Sequence, residues 1–329
     1  MKRSQMILLF VVTLAVARVS PAAEKPVRIR VGYGTPAATQ VAPRAIKDFK
    51  IFERNGLEVE FLLAGSTLVA QAFLAGEIPL ALMTGGLAAA PYLQGSDIVM
   101  LAGVVNTIPY HFMVRPNIEK PSDLRGKVVG VSRIGSGSDR GLRFSLVKLG
   151  LNPDRDTTIL QVGGESERLA ALLSGKIDGT VITPPLTSKA RGAGMKTLAD
   201  LGGQGIAYQH TGIVTSKEFI RRSEPVVRAF VKALVEGIHY MKTHKGETLA
   251  VIRKLLREDD PALVEEAYEV YVVRYLEKKP YPNLEGMKAV FDELASRNPK
   301  AKTMDPAGLI DTRFIKELDA SGYIDSLYK

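Results

Sequence analysis

The sequence predicts an α/β protein of two lobes, each a mainly parallel sheet flanked by helices, followed by a helical C-terminal region. Three observations support this prediction. The phrase "FLAGEIPLALM" (73–83) returns as "LLSGKIDGTVI" (172–182), with Gly76 of the first copy aligned on Gly175 of the second. Strand-like and helix-like segments alternate around both copies. Beyond residue 216 the spacing is helical, and no third unit of this kind occurs.

Each unit has the order strand, helix, strand, helix, strand. Six strands are predicted, at 27–31, 57–63, 78–83, 127–131, 158–162 and 180–182. Four helices are predicted, at 39–53, 65–76, 135–150 and 165–175. Gly76 and Gly175 favour helix ends, because glycine readily adopts the left-handed conformation found there. Pro79 has no N–H for a strand ladder, so pairing of the third strand should begin after it.

The two units are expected in two lobes, and one long doubly wound sheet is the alternative. Extended apolar stretches at 99–114 and 206–214 bracket the second unit and are interpreted as strands that cross between lobes. The predicted organisation is a signal peptide at 1–23, lobe one at 24–113, an inserted lobe two at 114–210, and a return to lobe one at 211–329. Hinges are expected at 113–116 and 208–212.

The N-terminus has the pattern of a secretory signal peptide. Lys2 and Arg3 precede an apolar run at 6–17, and small residues follow it. The run is shorter than the roughly 20 residues that span a bilayer, which disfavours the alternative of a membrane anchor. No cysteine is present to carry a lipid. We expect export, cleavage between Arg18 and Lys25, and a periplasmic protein with neither lipid anchor nor stable membrane insertion.

Composition excludes several classes of function. The chain has no cysteine and four histidines, so thiolate metal sites and cysteine nucleophiles are absent and no metal site is expected. The net charge is +9, but no long basic run or basic–aromatic pattern occurs. A nucleic-acid partner is therefore not expected. The positive charge instead favours small anions and acidic surfaces.

The chain resembles the sulfonate/nitrate/taurine-type solute-binding proteins of ABC importers, whose fold is shared with binding proteins for thiamine-pyrimidine precursors. The resemblance depends on the repeated phrase and on "LRGKVVGVSRIGSGSD" (124–139), "VRAFVKALVEG" (227–237) and "LIDTRFIKELDASGYID" (309–325). It implies a type II periplasmic-binding-protein clamp with two crossover strands. It also implies a monomer that binds a small-molecule solute and delivers it to a membrane permease, with no catalysis and no cofactor.

The ligand site is expected at the carboxyl ends of the strands, where open parallel sheets bind ligands. The loops there are rich in Gly, Ser and Thr, and several of them open helices whose free N–H groups favour anions. The candidate ligand-binding residues are Thr35, Ser66, Thr67, Thr84, Gly85, Tyr110, Arg133, Ser136, Gly137, Ser138, Thr183 and Thr211.

Alternatives remain open for several of these residues. Ser66 or Thr67 can cap the second helix, and Ser138 can cap the helix that follows 135–137. Arg133 binds an anion or pairs with a surface carboxylate. Glu165 does not suit a purely anionic ligand, so it either faces water or meets the ammonium group of a zwitterion.

Three other functions compete with solute delivery. "GYGTPA" (32–37) matches G-x-G-x-x-A after a strand, but its proline and the predicted export argue against a nucleotide enzyme. A thiamine-pyrimidine synthase of the same fold would carry a cysteine-rich motif that this chain lacks. A receptor that presents its ligand to a sensor would use the same clamp. The sequence does not identify the solute.

Overall fold

The computed structural model describes residues 25–295 and 297–329, so the predicted signal peptide lies outside the described residues. Two five-stranded sheets form two lobes, which excludes the alternative of one long sheet. The strand order is equivalent in the two sheets. In both lobes three parallel strands lie beside an antiparallel strand that arrives from the other lobe.

Lobe one contains the first unit and the strand that returns from lobe two. Its strands are β1 (Val27–Tyr33), β2 (Leu57–Leu63), β3 (Leu80–Thr84), β4 (Ile98–Thr107) and β10 (Ala207–Ser216). They lie in the order β2-β1-β3-β10-β4. The helices of the first unit are α1 (Val41–Asp48), α2 (Ile51–Arg54), α3 (Ser66–Leu74) and α4 (Gly85–Tyr92). As predicted, β3 begins just after Pro79.

Lobe two is the inserted copy. Its strands are β5 (His111–Val114), β6 (Lys127–Val131), β7 (Thr157–Gln161), β8 (Gly179–Ile182) and β9 (Lys196–Asp200). They lie in the order β7-β6-β8-β5-β9. Its helices are α5 (Gly137–Lys148), α6 (Glu165–Leu173) and α7 (Leu186–Gly192). Gly76 and Gly175 have φ angles of 76° and 75°, which confirms that both copies of the phrase end a helix in the left-handed conformation.

The C-terminal region is helical, as predicted, and packs on lobe one. Its helices are α8 (Lys217–Thr243), α9 (Lys245–Leu256), α10 (Pro261–Tyr268), α11 (Leu284–Ala295), α12 (Arg313–Ala320) and α13 (Tyr323–Leu327), with a π-helical segment at Glu269–Arg274 after α10. Val227, Phe230 and Leu234 give α8 a buried apolar stripe. None of the helices in residues 25–295 and 297–329 is long and apolar enough to cross a membrane.

The crossings between lobes lie a few residues earlier than the expected boundaries. The strand His111–Val114 pairs with β8 of lobe two, whereas the sequence predicts that lobe one continues to residue 113. The strand Ala207–Ser216 already belongs to lobe one, whereas the sequence predicts that lobe two reaches residue 210. The chain therefore crosses at 108–110 and 201–206. The pairing of β10 with β4 shifts register around Thr211 and Gly212, within one of the expected hinges.

Candidate functional site

The floor of the cleft between the lobes is a buried chain of polar groups beside the crossings. The hydroxyl of Tyr110 lies 3.1 Å from Nε2 of His210, whose Nδ1 lies 2.8 Å from Oγ1 of Thr211. The rings of Tyr110 and His210 meet edge to face at 5.2 Å. All three residues are buried. Tyr110 belongs to the first crossing, and His210 and Thr211 lie in β10, the strand that follows the second crossing. The floor is therefore continuous with the connection between the lobes.

Burial fixes the protonation state of this floor. Desolvation lowers the pKa of His210 to about 3, so the imidazole is neutral at physiological pH. Its two nitrogens are occupied by hydroxyl groups rather than by a carboxylate. The floor is therefore an uncharged hydrogen-bonding surface and does not contain a histidine–acid pair.

Gly137, the first residue of α5, brings lobe two against lobe one. A Cβ atom at Gly137 would lie 3.0 Å from Cγ2 of Thr84, 3.1 Å from the hydroxyl of Tyr110 and 3.4 Å from Nε2 of His210. Thr84 ends β3 and caps α4 by accepting a bond from the N–H of Leu87. A side chain at this position would therefore press on the opposite lobe and on the floor.

The loop before α5 is held by its own hydroxyl groups. Ser136 is the N-cap of α5 and accepts a hydrogen bond from the N–H of Asp139. Ser138 does not cap the helix, because its hydroxyl accepts from the N–H of Ser132 at 2.9 Å. The left-handed residue of the loop is Gly135, with φ of 80°, and Gly137 lies outside that conformation. The loop is therefore preorganised, and Gly137 is its point of contact with lobe one.

Glu165 faces the interior between the lobes, so the alternative that it faces water is wrong. Its side chain is only 12% exposed, and Oε2 accepts a hydrogen bond of 2.8 Å from Thr183. Oε1 lies 3.8 Å from Nη2 of Arg168, within ion-pair range but beyond hydrogen-bonding distance. Burial raises the pKa of Glu165, while the charge of Arg168 and the bond from Thr183 oppose that shift.

Arg168 is a fixed counter-ion beneath Glu165. Its guanidinium is buried and donates to the carbonyl oxygens of Gly163 and Val181 and to the hydroxyl of Thr180. These three bonds attach it to lobe two. Arg168 therefore offsets the charge of Glu165 without using the acceptor capacity of Oε1.

Tyr271 reaches the same place from lobe one. It lies in the π-helical segment after α10, a kind of irregularity that is frequent at functional sites. The residue is 2% exposed, and its hydroxyl has no hydrogen bond of standard geometry within the described part of the chain. Burial and, after it, the charge of Glu165 raise the pKa of Tyr271 and that of Tyr110, whereas the side chain of Thr183 opposes the rise for Tyr271. We call Glu165, Thr183 and Tyr271 the carboxylate cluster.

The mouth of the cleft is bridged by an exposed contact. Nη1 of Arg133, in lobe two, donates to Oγ1 of Thr67 in lobe one at 3.3 Å. Thr35 and Ser66 are half-buried nearby along the strand ends of lobe one. Neither Ser66 nor Thr67 caps α3, because the N-cap position is occupied by Gly65, whose φ of 75° suits glycine.

Ion pairs also join lobe two to the C-terminal helices. Lys189 lies 2.5 Å from Glu258, and Arg140 lies 3.3 Å from Glu293, which also accepts from the hydroxyl of Tyr208. A buried apolar cluster containing Leu142 and Met83 also spans the two lobes. The lobes therefore meet through both apolar and charged contacts.

The structure brings part of the predicted site together. Thr84, Tyr110, Gly137 and Thr211 converge at the floor. Thr183 joins the carboxylate cluster, and Gly85 approaches the backbone of β10. Thr35, Ser66, Thr67 and Arg133 lie at the mouth, whereas Ser136 and Ser138 are engaged within their own loop.

The sequence gives no local sign of a site role for Tyr271 or Arg168. The only signal for Tyr271 is its place in an apolar helical stretch, which is equally typical of core residues. Arg168 follows Glu165 by three positions, the spacing of a helical ion pair. For His210, next to Thr211 near the second crossing, the sequence predicts either a place in the cleft lining or packing beneath the hinge, and the structure places it at the floor of the cleft.

The fold and the site define the class: a two-lobed α/β protein whose lobes meet at a polar cleft beside two crossovers. The chain belongs to the NMT1/THI5 like family, whose model matches residues 47–248. It is 24% identical over 241 residues to a formylaminopyrimidine-binding protein of Halalkalibacterium halodurans, a match that covers 70% of this chain and 71% of that protein.

Solved structures share the fold. The alkanesulfonate-binding protein SsuA of Xanthomonas axonopodis pv. citri, bound to MOPS, superposes with a TM-score of 0.71 at 18% identity, covering 88% of this chain and 100% of its own. The desulfurization enzyme DSZB superposes with a TM-score of 0.64 at 16% identity, covering 89% and 99%. Because the fold also occurs in an enzyme, it does not by itself define the activity.

Proposed function

We propose that this protein is an extracytoplasmic solute-binding protein that captures a small organic solute, anionic or zwitterionic, between its lobes and delivers it to an ABC importer. The observation that supports this proposal best is the convergence of Gly137, Thr84, Tyr110 and His210. Groups from both lobes and from the first crossing meet there, so a solute in this cleft would contact surfaces that move relative to each other on closure.

The chemistry of the cleft favours binding over catalysis. The imidazole of His210 is occupied by two hydroxyl groups, and the carboxylate of Glu165 accepts from a threonine hydroxyl. Neither arrangement activates a nucleophile, which would require a base positioned to accept its proton. The small groups at Gly137 and Thr84 instead leave backbone and hydroxyl groups to contact a ligand.

Delivery to a permease, export and a monomeric state belong to the same proposal. The apolar run and small residues at the N-terminus favour export to a periplasm. N-terminal sequencing of the periplasmic protein should find a start between Arg18 and Lys25, and an intact Met1 would contradict export. Uptake of the identified solute should be lost in cells that lack the gene. Normal uptake would favour a receptor that presents the solute to a sensor.

Binding is tested first by native mass spectrometry of freshly purified protein, which identifies any solute carried through purification. Calorimetry with alkanesulfonates, taurine, nitrate and aminopyrimidines then measures affinity, and small-angle scattering measures closure. We expect one class to bind and to reduce the radius of gyration. Recovery of the solute unchanged after incubation separates binding from turnover. If no carried solute, no binding and no compaction are found, the proposal is wrong.

A further inference from the structure

Arg140 extends from lobe two across the cleft to lobe one. It lies in α5 one turn beyond Gly137, and its side chain is only 13% exposed. Nη1 donates to Oε1 of Glu293 in α11 at 3.3 Å, and Nη2 donates to the carbonyl oxygen of Gly86 in α4 at 3.5 Å. Because α4 and α11 both pack on the sheet of lobe one, a single guanidinium connects the two lobes.

Lobe one has room for this guanidinium because residue 86 is a glycine. A Cβ atom at Gly86 would lie 2.5 Å from both Cζ and Nε of Arg140, which is too close for either atom to stay in place. The φ angle of Gly86 lies outside the left-handed range, so its backbone would accept alanine. The approach of Arg140 therefore explains why a side chain is missing at this position, and the backbone conformation does not.

Lobe one also positions the carboxylate that meets Arg140. The hydroxyl of Tyr208, in β10, donates to Oε2 of Glu293 at 2.7 Å. Burial, and after it the charge of Glu293, raises the pKa of Tyr208 well above its usual value, so the hydroxyl keeps its proton and remains a donor. Tyr208 thus holds one oxygen of the carboxylate within lobe one, while the other oxygen pairs with lobe two.

This contact favours closure of the lobes without locking them. Nε of Arg140 is buried and has no hydrogen-bond partner within residues 25–295 and 297–329, a cost that water would remove once the lobes separate. The loss of hydration by two charges also offsets much of their attraction, so a partly buried ion pair has a small net effect. A solute can still shift an equilibrium between open and closed forms that differ by so little.

Resting on the proposed function, we propose that Arg140 is a positioning residue whose contact with Glu293 and Gly86, the interlobe clasp, holds part of the protein closed before the solute binds. The clasp consists of protein groups alone, so it does not depend on which solute is bound. Because the apparent affinity depends on the population of the closed form, the clasp should raise the affinity for every solute by the same factor. A residue that touches the solute would instead favour some solutes over others.

Closure before binding is measured on the solute-free mature chain with two spin labels. The chain has no cysteine, so Leu68→Cys in lobe one and Leu160→Cys in lobe two, at side chains that are about half exposed, give the labels unique positions. Double electron–electron resonance then measures the distances between the lobes, and we expect a closed and an open population. The ratio of closed to open should fall about 2- to 10-fold in Glu293→Gln and in Gly86→Ala, the net effect of one hydrogen-bonded contact.

Calorimetry with the solute panel on the unlabelled chain tests whether the factor is uniform. Glu293→Gln and Gly86→Ala should each weaken the binding of every solute by the same factor, about 2- to 10-fold. The double variant should lose no more than the weaker-binding single variant, because both changes remove the same contact. Asp292→Asn removes an exposed carboxylate from the neighbouring position of α11 and, as the matched control, should change neither measurement. Melting curves verify that each variant is folded, and either variant alone tests the clasp if the other does not fold.

The outcomes separate this proposal from the proposed function. The clasp is refuted if the solute-free parent protein is entirely open, or if folded Glu293→Gln and Gly86→Ala keep its distribution of distances. It is also refuted if these variants change the affinities of different solutes by unequal factors, which would place Arg140 in contact with the solute. Solute binding stands in each of these cases. If no solute binds, the proposed function is wrong, and the distances in the solute-free chain still decide whether the clasp holds the lobes together.

Discussion

Adding one methyl group at Gly137 should impair closure of the lobes without unfolding either of them. In Gly137→Ala the new Cβ would lie 3.0 Å from Cγ2 of Thr84 and 3.1 Å from the hydroxyl of Tyr110. The residue does not need a left-handed backbone, so no conformational strain is added. The crowding arises only where lobe two meets lobe one and the floor.

The magnitude follows from the tightness of these contacts. Distances of 3.0 to 3.4 Å force the neighbours apart by a few tenths of an ångström. Overpacking of this kind costs about 1–3 kcal/mol. Because the open form avoids that cost, it should appear as a loss of affinity of roughly 5- to 150-fold.

The assay combines calorimetry, with the tightest-binding solute of the panel, and a melting curve. Gly192→Ala is the matched control, because a Cβ at Gly192 in lobe two meets nothing within 4 Å. It should bind like the parent protein. If Gly137→Ala binds with unchanged affinity and shows the same compaction in scattering, the two lobes do not close at Gly137 and the site lies elsewhere.

Acidification should destabilise the protein through His210. Burial lowers the pKa of this histidine to about 3, so below pH 6.5 the unfolded chain binds a proton that the folded chain excludes. Between pH 7 and pH 5, urea titrations should show that the free energy of unfolding of the parent protein falls by about 2 kcal/mol more than that of His210→Gln. Glu258→Gln breaks the ion pair with Lys189 that joins the lobes. Because Lys189 is 42% exposed, the loss of solute affinity should stay below about fivefold and should shrink in high salt. The control Glu285→Gln, which removes a carboxylate paired with Lys288 on its own helix, should leave the affinity unchanged. Ser138→Ala removes the acceptor for a backbone N–H of its own loop, so the free energy of unfolding should fall by about 1–3 kcal/mol with little change in affinity, and the opposite pattern would make Ser138 a ligand contact.

The repeated phrase made the lobe architecture predictable. Gly76 and Gly175 give the helix ends, Pro79 gives the start of the third strand, and all three predictions agree with the structure. These signals are local, because they depend on what one residue allows its own backbone to do. The segment 39–53 was less predictable: two helices are separated there by Lys50 in the left-handed conformation, which nothing in its residue type requires.

Assignments that depend on tertiary packing could not be predicted. The strand at His111–Val114 is apolar, and either sheet could accept it; its pairing with β8 decides the lobe. Glu165 stands at a helix start, where acidic residues are common on the surface. Its burial results from Arg168 below it and from a tyrosine on a segment about a hundred residues later in the chain, a combination that no local pattern contains.

The position of Tyr271 shows this most clearly. The stretch 261–276 has the periodicity of an amphipathic α-helix, but Val270, Tyr271 and Val272 are consecutive and all buried. A regular helix with one apolar face would turn one of them towards solvent. The wider turn of the π-helical segment accompanies the burial of all three, and the ring of Tyr271 is held by apolar packing.

Packing therefore needs the ring of Tyr271 but not its hydroxyl. Tyr271→Phe removes a buried hydroxyl that makes no hydrogen bond of standard geometry to the residues the structure describes, so the free energy of unfolding should be unchanged or rise by up to about 1 kcal/mol. Tyr281→Phe is the matched comparison, because the hydroxyl of Tyr281 donates to Asp319 at 2.9 Å, and it should cost about 1 kcal/mol in the same urea titration. If Tyr271→Phe destabilises the protein as much as Tyr281→Phe, its hydroxyl is bonded within the protein.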